Sequence, residues 1–319
     1  MSLQSTLDRT LPPQLSHGWR LLTTPVWNHE TNRLRAPLRA LLPLVVTFLA
    51  FAAIQTAVGE RLTHPAREAA TAIALAVVLV GSIVATARVV DRRPVSEFGF
   101  ALDREWVTSF AVGGLIAVLV NAGTLLVAVA AGWATITGFA TGSEALPFLP
   151  AFVLVFGYIA VAATWEEFVM RGAMLKNLAE GGNDLLPEWV AVAGAVLGSS
   201  AIFTFMHSGK LTDPSQAGYY LLAGLIFGIV YVLSGELALP IGFHVFYNFS
   251  MSAVFGLGVS LQTPELIAVE AAGPPVWIGE EGLLRVIFAF VGGVLLLAYI
   301  RWRTGQLQID DRITRWSNS

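Results

Sequence analysis

Apolar runs of about 20 residues recur along the chain and are separated by short polar segments. A helix rises 1.5 Å per residue, so each run can cross the roughly 30 Å hydrocarbon core of a bilayer. The pattern predicts eight transmembrane helices, at residues 38–58, 69–90, 106–133, 148–179, 189–208, 217–234, 237–257 and 282–301. The intervening segments 59–68, 91–105 and 141–147 are rich in charge, proline or glycine, as linkers are. We therefore predict an all-α, polytopic membrane helix bundle.

The composition agrees with a chain that lies in a lipid bilayer. Hydrophobic residues make up 55% of the chain and charged residues only 13%, whereas a soluble domain carries about 25% charged residues. The net charge of −3 gives no reason to expect a nucleic-acid partner. The chain has no cysteine, which excludes disulfides, thiolate metal sites and a cysteine nucleophile.

The distribution of lysine and arginine predicts how the bundle is oriented. If the N-terminus is cytoplasmic, 15 of these residues lie on the cytoplasmic side and 4 on the outer side, as the positive-inside rule requires. Both termini are then cytoplasmic. We predict a cytoplasmic N-terminal tail at residues 1–36, which lack the apolar core of a signal peptide. We also predict a transmembrane domain at residues 37–303 and a cytoplasmic C-terminal tail at residues 304–319.

Few ionisable side chains are expected inside the apolar segments, because the aspartates fall in predicted tails and linkers. Five remain: Glu166, Glu167, Arg171, His207 and His244. A charged side chain at the membrane centre costs at least ~2.5 kcal/mol, so such residues usually mark a functional site.

The stretch "EEFVMR" places two glutamates before an arginine at the end of an apolar run. Glu167 and Arg171 are four residues apart and share a helical face, in the favourable order for an ion pair. Glu166 is rotated away by about 100°, so it can act as a general base while Arg171 neutralises Glu167. The alternative is that all three mark the cytoplasmic helix end, with Arg171 snorkelling to the headgroups.

Two further stretches place polar groups at helical spacing. Phe203 and His207 share one face, and His244 and Asn248 share another. Taken singly, His207 is a possible interfacial residue, and His244 with Asn248 a polar bridge between helices. Taken together, one acid, two imidazoles and an amide could hold a water, deprotonate it and bind an oxyanion, as in a hydrolase.

The motifs "EEFVMR" (166–171), "FTFMH" (203–207) and "HVFYN" (244–248) resemble the EExxxR, FxxxH and HxxxN pattern of the CPBP family. This family contains the CAAX proteases and bacteriocin-processing enzymes, also called Abi proteins. Its best-known member is the type II CAAX prenyl endopeptidase. "SEFGF" (96–100) also looks like a family element. The motif-bearing core covers about residues 90–257.

The resemblance implies an intramembrane endopeptidase of the glutamate type. Glu166 would then be the water-activating base, assisted by His207. His244 and Asn248 would hold the oxyanion of the tetrahedral intermediate, and the ion pair described above would support the site. The substrate would be a peptide or membrane protein, prenylated or not. We expect a multi-pass protein of a prokaryotic plasma membrane.

No cofactor is expected, although Glu166, His207 and His244 would make a His₂Glu zinc set. The helical HExxH motif of many zinc proteases is absent from the apolar segments. Two other functions stay open: a transporter with a proton or ion relay, and a non-catalytic membrane scaffold. Simple counting along straight helices puts Glu166 and His207 at different depths, yet the hydrolase hypothesis predicts that they meet.

Overall fold

The structure is a computed structural model that describes residues 24–59, 61–63, 65–142, 146–210, 216–258, 264–278 and 282–316. The described residues form nine α-helices: α1 (Ala36–Gly59), α2 (Ala66–Ala85), α3 (Arg104–Ala130), α4 (Phe148–Glu167), α5 (Lys176–Asn183), α6 (Glu188–Met206), α7 (Ala217–Ser234), α8 (Ala238–Phe249) and α9 (Leu283–Thr304). Three π-helical segments, Thr86–Val90, Phe168–Leu175 and Ser250–Val254, extend α2, α4 and α8. The all-α bundle is as predicted.

Two short antiparallel strand pairs accompany the helices. Strand β1 (Trp27–Asn28) pairs with β2 (Arg33–Leu34). Strand β3 (Ala134–Thr141) follows α3 and pairs with β4 (Glu265–Ala271). The sequence analysis predicted neither pair, since it treated these segments as parts of the tail and the linkers.

Seven helices of the described part are long and apolar enough to cross a membrane: Ala36–Gly59, Ala66–Val90, Arg104–Ala130, Phe148–Asn183, Glu188–Met206, Ala217–Ser234 and Leu283–Thr304. The remaining predicted span, 237–257, forms α8, ten of whose 12 residues are buried, and its five-residue π-helical extension, which together fall just short of these seven in length. Helix α8 packs so closely against α3 that a Cβ atom at Gly242 would lie 2.1 Å from the Phe110 carbonyl oxygen. The hydropathy of residues 237–257 predicts a membrane span because helices buried inside a bundle, like membrane spans, are apolar on all sides.

Residues near both ends of the chain meet on one side of the bundle. The guanidinium carbon of Arg33 lies 4.0 Å from the centre of the Trp316 ring, and Trp316 Nε1 donates to the Asp91 carbonyl at 3.3 Å. Which side of the membrane this is stays a prediction, as do the domain boundaries; residues 1–23 of the predicted tail lie outside the described residues.

The expectation that only five ionisable side chains lie within the apolar part is wrong. Other buried charged side chains are Arg33, Arg39, Asp91, Arg93, Lys176, Glu180, Glu236 and Arg285. We call Arg33, Arg39, Asp91, Arg93 and Glu180 the buried ionic cluster. Its centre is the Glu180 carboxylate, which accepts hydrogen bonds from Arg33 and Arg39 at 2.7 Å each and from Arg93 at 2.5 Å. Charges that look exposed in separate linkers are buried here because they pair with one another.

The "SEFGF" element supports the start of α8. Gly99 has a φ of 97°, a left-handed conformation that glycine adopts without steric cost. Its carbonyl accepts hydrogen bonds from the Leu237 amide at 3.0 Å and from Trp106 Nε1 at 2.8 Å. This element therefore joins the beginning of α3 to the residue just before α8, the helix that carries His244.

Candidate active site

The three sequence motifs converge at the centre of the bundle. Glu166 comes from α4, His207 from the C-terminal cap of α6, and His244 from α8. Oε2 of Glu166 lies 4.0 Å from Nε2 of His207 and 3.9 Å from Nε2 of His244. The predicted meeting of Glu166 and His207 is confirmed. The two residues can meet because Glu166 lies midway along the 36-residue helical segment Phe148–Asn183 rather than at its end.

Hydrogen bonds at Nδ1 fix how the two imidazoles face the glutamate. Nδ1 of His207 lies 2.8 Å from the Phe203 carbonyl oxygen, and Nδ1 of His244 lies 2.8 Å from Oε1 of Glu167. Both oxygens are acceptors, so each Nδ1 carries the hydrogen. The Nε2 atoms of both rings are consequently the ones turned toward Glu166.

Glu167 and Arg171 form the predicted ion pair beneath these residues. Arg171 Nη1 lies 3.1 Å from Oε1 of Glu167, and Nη2 donates to the Gly224 carbonyl at 3.3 Å. The guanidinium carbon also lies 4.8 Å from the Phe203 ring and 5.2 Å from the Phe227 ring. Both partners are fully enclosed, so this pair lies in a low dielectric, where removing either charge is costly.

The ion pair spans the junction between α4 and the π-helical segment Phe168–Leu175. Arg171 lies inside this segment, and Glu167 ends the preceding α-helix. Wide helical turns of this kind are rare and often occur at functional sites. The sequence pattern predicted an ordinary helix here, because a few residues of wider helical turn inside a long apolar run do not change its overall pattern.

Glu166 differs from Glu167 in its surroundings. Its Oε2 is buried and has no hydrogen-bond donor within reach in the described part of the chain. The separations of 3.9 and 4.0 Å to the imidazoles are too long for direct hydrogen bonds. They suit a water molecule bonded to the carboxylate and to an imidazole at about 2.8 Å each.

A family comparison covers these same elements. Residues 147–250 match the family model described as Type II CAAX prenyl endopeptidase Rce1-like. This segment of the chain is therefore similar to the CAAX proteases. The matched segment runs from the start of α4 to the end of α8 and contains all three motifs. No curated protein and no solved structure matches the chain.

The site opens into two cavities. The larger has a volume of about 340 Å³, and Glu166, His207, His244 and Asn248 all line it. The smaller, of about 240 Å³, lies among α1, α2, α4 and α6. Its lining is mostly apolar, and Glu166 and His207 border it as well. Glu166 and His207 therefore line both cavities.

The predicted zinc alternative fits this arrangement poorly. Tetrahedral zinc with ligands at about 2.0–2.1 Å holds its donor atoms about 3.4 Å apart. The distances from Glu166 to the two imidazoles are 3.9 and 4.0 Å. Within the described ranges, no group of three or more His, Cys, Asp or Glu side chains is placed to hold a metal ion. The expectation that no cofactor is needed stays a prediction.

Sequence reasoning missed the link between the first and third motifs. Glu167 was expected to pair with Arg171 alone, yet it also accepts the hydrogen bond of His244, 77 residues further along the chain. No local spacing signals a contact between residues so far apart. Gly224, which supplies the carbonyl for Arg171, likewise carries no chemical signature of its own.

Proposed function

We propose that this protein is an intramembrane endopeptidase of the glutamate type. The observation that carries the proposal is the position of the Glu166 carboxylate, which faces the Nε2 atoms of His207 and His244 at 4.0 and 3.9 Å. A carboxylate whose Oε2 has no direct hydrogen-bond donor among the described residues, beside two imidazoles in a mostly apolar cavity, suits the activation of water.

In the proposed reaction, Glu166 removes a proton from water while the hydroxide attacks the peptide carbonyl carbon. His207 orients this water through Nε2. The carbonyl π-electrons move to oxygen, and the oxyanion accepts hydrogen bonds from Asn248 and His244. The C–N bond then breaks, and the proton held by Glu166 passes to the leaving amine.

Glu167 holds His244 in place by accepting the hydrogen bond from its Nδ1. His244 donates from Nδ1 to Glu167, so it can also donate from Nε2 only as an imidazolium. The carboxylate of Glu167 stabilises that charged form.

The proposed substrate is a peptide or a membrane protein whose scissile bond reaches the larger cavity. The proposal covers substrates with or without a prenyl group. It also places the protein in a prokaryotic plasma membrane. The mostly apolar lining of both cavities supports a substrate that is delivered from the bilayer.

The test is cleavage of a mixed library of peptides and prenylated tails by the detergent-purified protein. Glu166→Gln is compared with the wild type, and Glu105→Gln, whose side chain is 80% exposed, is the matched control. We expect cleavage by the wild type and the control, and a loss of at least 100-fold in Glu166→Gln. Unchanged cleavage in Glu166→Gln, or none by the wild type, would overturn the proposal.

A further inference from the structure

Helix α7 contains no charged residue and none of the three motifs, yet one of its faces contacts Arg171, His207 and His244. Tyr220, Gly224 and Phe227 are spaced four and three residues apart, so they share a helical face. Gly224 supplies the carbonyl that accepts a hydrogen bond from Arg171. The two aromatic residues, one on either side of it, contact the two histidines.

The ring of Tyr220 stacks on the imidazole of His207. Their centres are 4.6 Å apart and their planes differ by 23°. Phe203, one helical turn before His207, packs against the same imidazole at 4.4 Å with its ring tilted by 41°. Tyr220 is itself buried, so its ring is held by the surrounding bundle.

Phe227 makes the equivalent contact with the second histidine. Its ring centre lies 5.1 Å from that of His244, and the two planes differ by 20°. Phe227 lies seven residues after Tyr220, which is close to two helical turns. A single helix therefore presents one aromatic ring to each imidazole, in the same near-parallel orientation.

We propose that Tyr220 and Phe227 are positioning residues that orient His207 and His244. A hydrogen bond at Nδ1 sets which edge of the imidazole faces the acceptor but still allows the ring plane to rock about the Cβ–Cγ bond, a torsion with a broad energy minimum. A near-parallel aromatic ring restricts this rotation, because a turned imidazole would collide with it or lose the contact. The Nε2 atoms then stay directed at Glu166. The kinetic part of this inference rests on the proposed protease function.

The experiment compares Tyr220→Phe, which keeps the stacked ring, with Tyr220→Leu, which removes it. Phe205→Leu is the matched control, since Phe205 lies on α6 near His207 but is 76% exposed and points away. The first measurement is the rate at which diethyl pyrocarbonate modifies His207, followed by mass spectrometry of the intact, folded protein. We expect Tyr220→Leu to raise this rate severalfold, and Tyr220→Phe and Phe205→Leu to leave it unchanged.

The second measurement is peptide cleavage. Displacing a reacting group by about 1 Å can cost 10²-fold in rate. We therefore expect kcat to fall by about 10- to 100-fold in Tyr220→Leu, with KM changed by less than about threefold, and to be retained in Tyr220→Phe. A general loss of structure would not be repaired by phenylalanine in this selective way. If Tyr220→Leu does not fold, Tyr220→Met replaces it.

The modification rates test the positioning role of the two aromatic rings independently of cleavage. If the wild type cleaves no peptide, the proposed function fails but the positioning role is still tested. Equal modification of His207 in all variants would overturn the role of Tyr220. For the other ring, Phe227→Leu is expected to raise the modification of His244 and not that of His207. An unchanged rate at His244 would overturn the role of Phe227.

Discussion

The Glu167 carboxylate accepts a hydrogen bond from Nδ1 of His244 at 2.8 Å, within the enclosed centre of the bundle. The same oxygen, Oε1, lies 3.1 Å from the Arg171 guanidinium. One atom thus joins the first motif to the third. The two adjacent glutamates consequently have different surroundings: Glu167 is held by two cationic or polar partners, whereas Glu166 faces the cavity.

Replacing Glu167 by glutamine is expected to lower kcat by about 10²- to 10⁴-fold, because a neutral amide replaces the carboxylate that orients a catalytic histidine. An amide can still accept the hydrogen bond of His244 but does not stabilise its imidazolium form. The measurement is steady-state cleavage, with Glu105→Gln as the control. A kcat equal to that of the wild type would show that the Glu167 charge does not contribute to the reaction.

Replacing Arg171 by methionine is expected to lower the free energy of unfolding by about 3–5 kcal/mol, because it leaves the enclosed Glu167 carboxylate without its cation. The double variant Glu167→Gln, Arg171→Met removes both charges and should lose less than the sum of the single variants. Unfolding in detergent, followed by circular dichroism, provides the comparison. Strictly additive losses would contradict an energetic coupling between the two residues.

Treatment with a chelator is expected to leave cleavage unchanged, because Glu166 and the two histidines are spaced more widely than zinc ligands. The measurement is the cleavage rate before and after dialysis against a chelator, together with the zinc content of the protein. A zinc protease treated in parallel is the control. Activity that disappears with the chelator and returns with zinc would establish the His₂Glu set instead.

Replacing Glu180 by glutamine is expected to destabilise the protein by about 3–5 kcal/mol, since it leaves buried guanidinium groups without their shared carboxylate. Glu180 joins Arg33, from the N-terminal strand pair, to Arg93, from the segment between α2 and α3. Thermal unfolding is the measurement, and Glu105→Gln is again the control. A melting temperature within about 1 °C of the wild type would mean that the buried ionic cluster adds little net stability.

The C-terminal segment is expected to lose stability in acid. Partial burial raises the pKa of Asp310, but hydrogen bonds and the charge of Arg312 outweigh this effect and hold the pKa below its usual 3.8. A lowered folded-state pKa contributes stability that is present above 3.8 and is lost as the pH falls through the lower value. Asp310→Asn should unfold with a smaller pH dependence in that range. The same dependence in both proteins would contradict this assignment.

Much of the fold could be predicted because the apolar runs are long and well separated. The run 106–133 became the helix Arg104–Ala130, and 148–179 became the segment Phe148–Asn183. The run 237–257 has the same apolar character but forms the mostly buried α8 and its short π-helical extension. Hydropathy cannot separate lipid from a protein interior, because both exclude water.

Part of the site was also predictable. The motifs identified Glu166, His207 and His244, and the i,i+4 spacing predicted the pair of Glu167 with Arg171. The partner of His244 and the rings that stack on the imidazoles were not predictable, because they come from distant parts of the chain. Their side chains have no unusual chemistry that would distinguish them in the sequence.

The sequence alone determined that the chain forms a helical membrane bundle, and which ionisable residues of its motifs lie against apolar helices. These properties depend on local periodicity and on the cost of placing charge in lipid, both of which can be read from neighbouring residues. Only the tertiary structure decided that Glu167 is hydrogen-bonded to His244 and that Glu180 forms ion pairs with three arginines. Such contacts depend on how helices pack, and packing is set by the shapes of surfaces that lie far apart in the sequence.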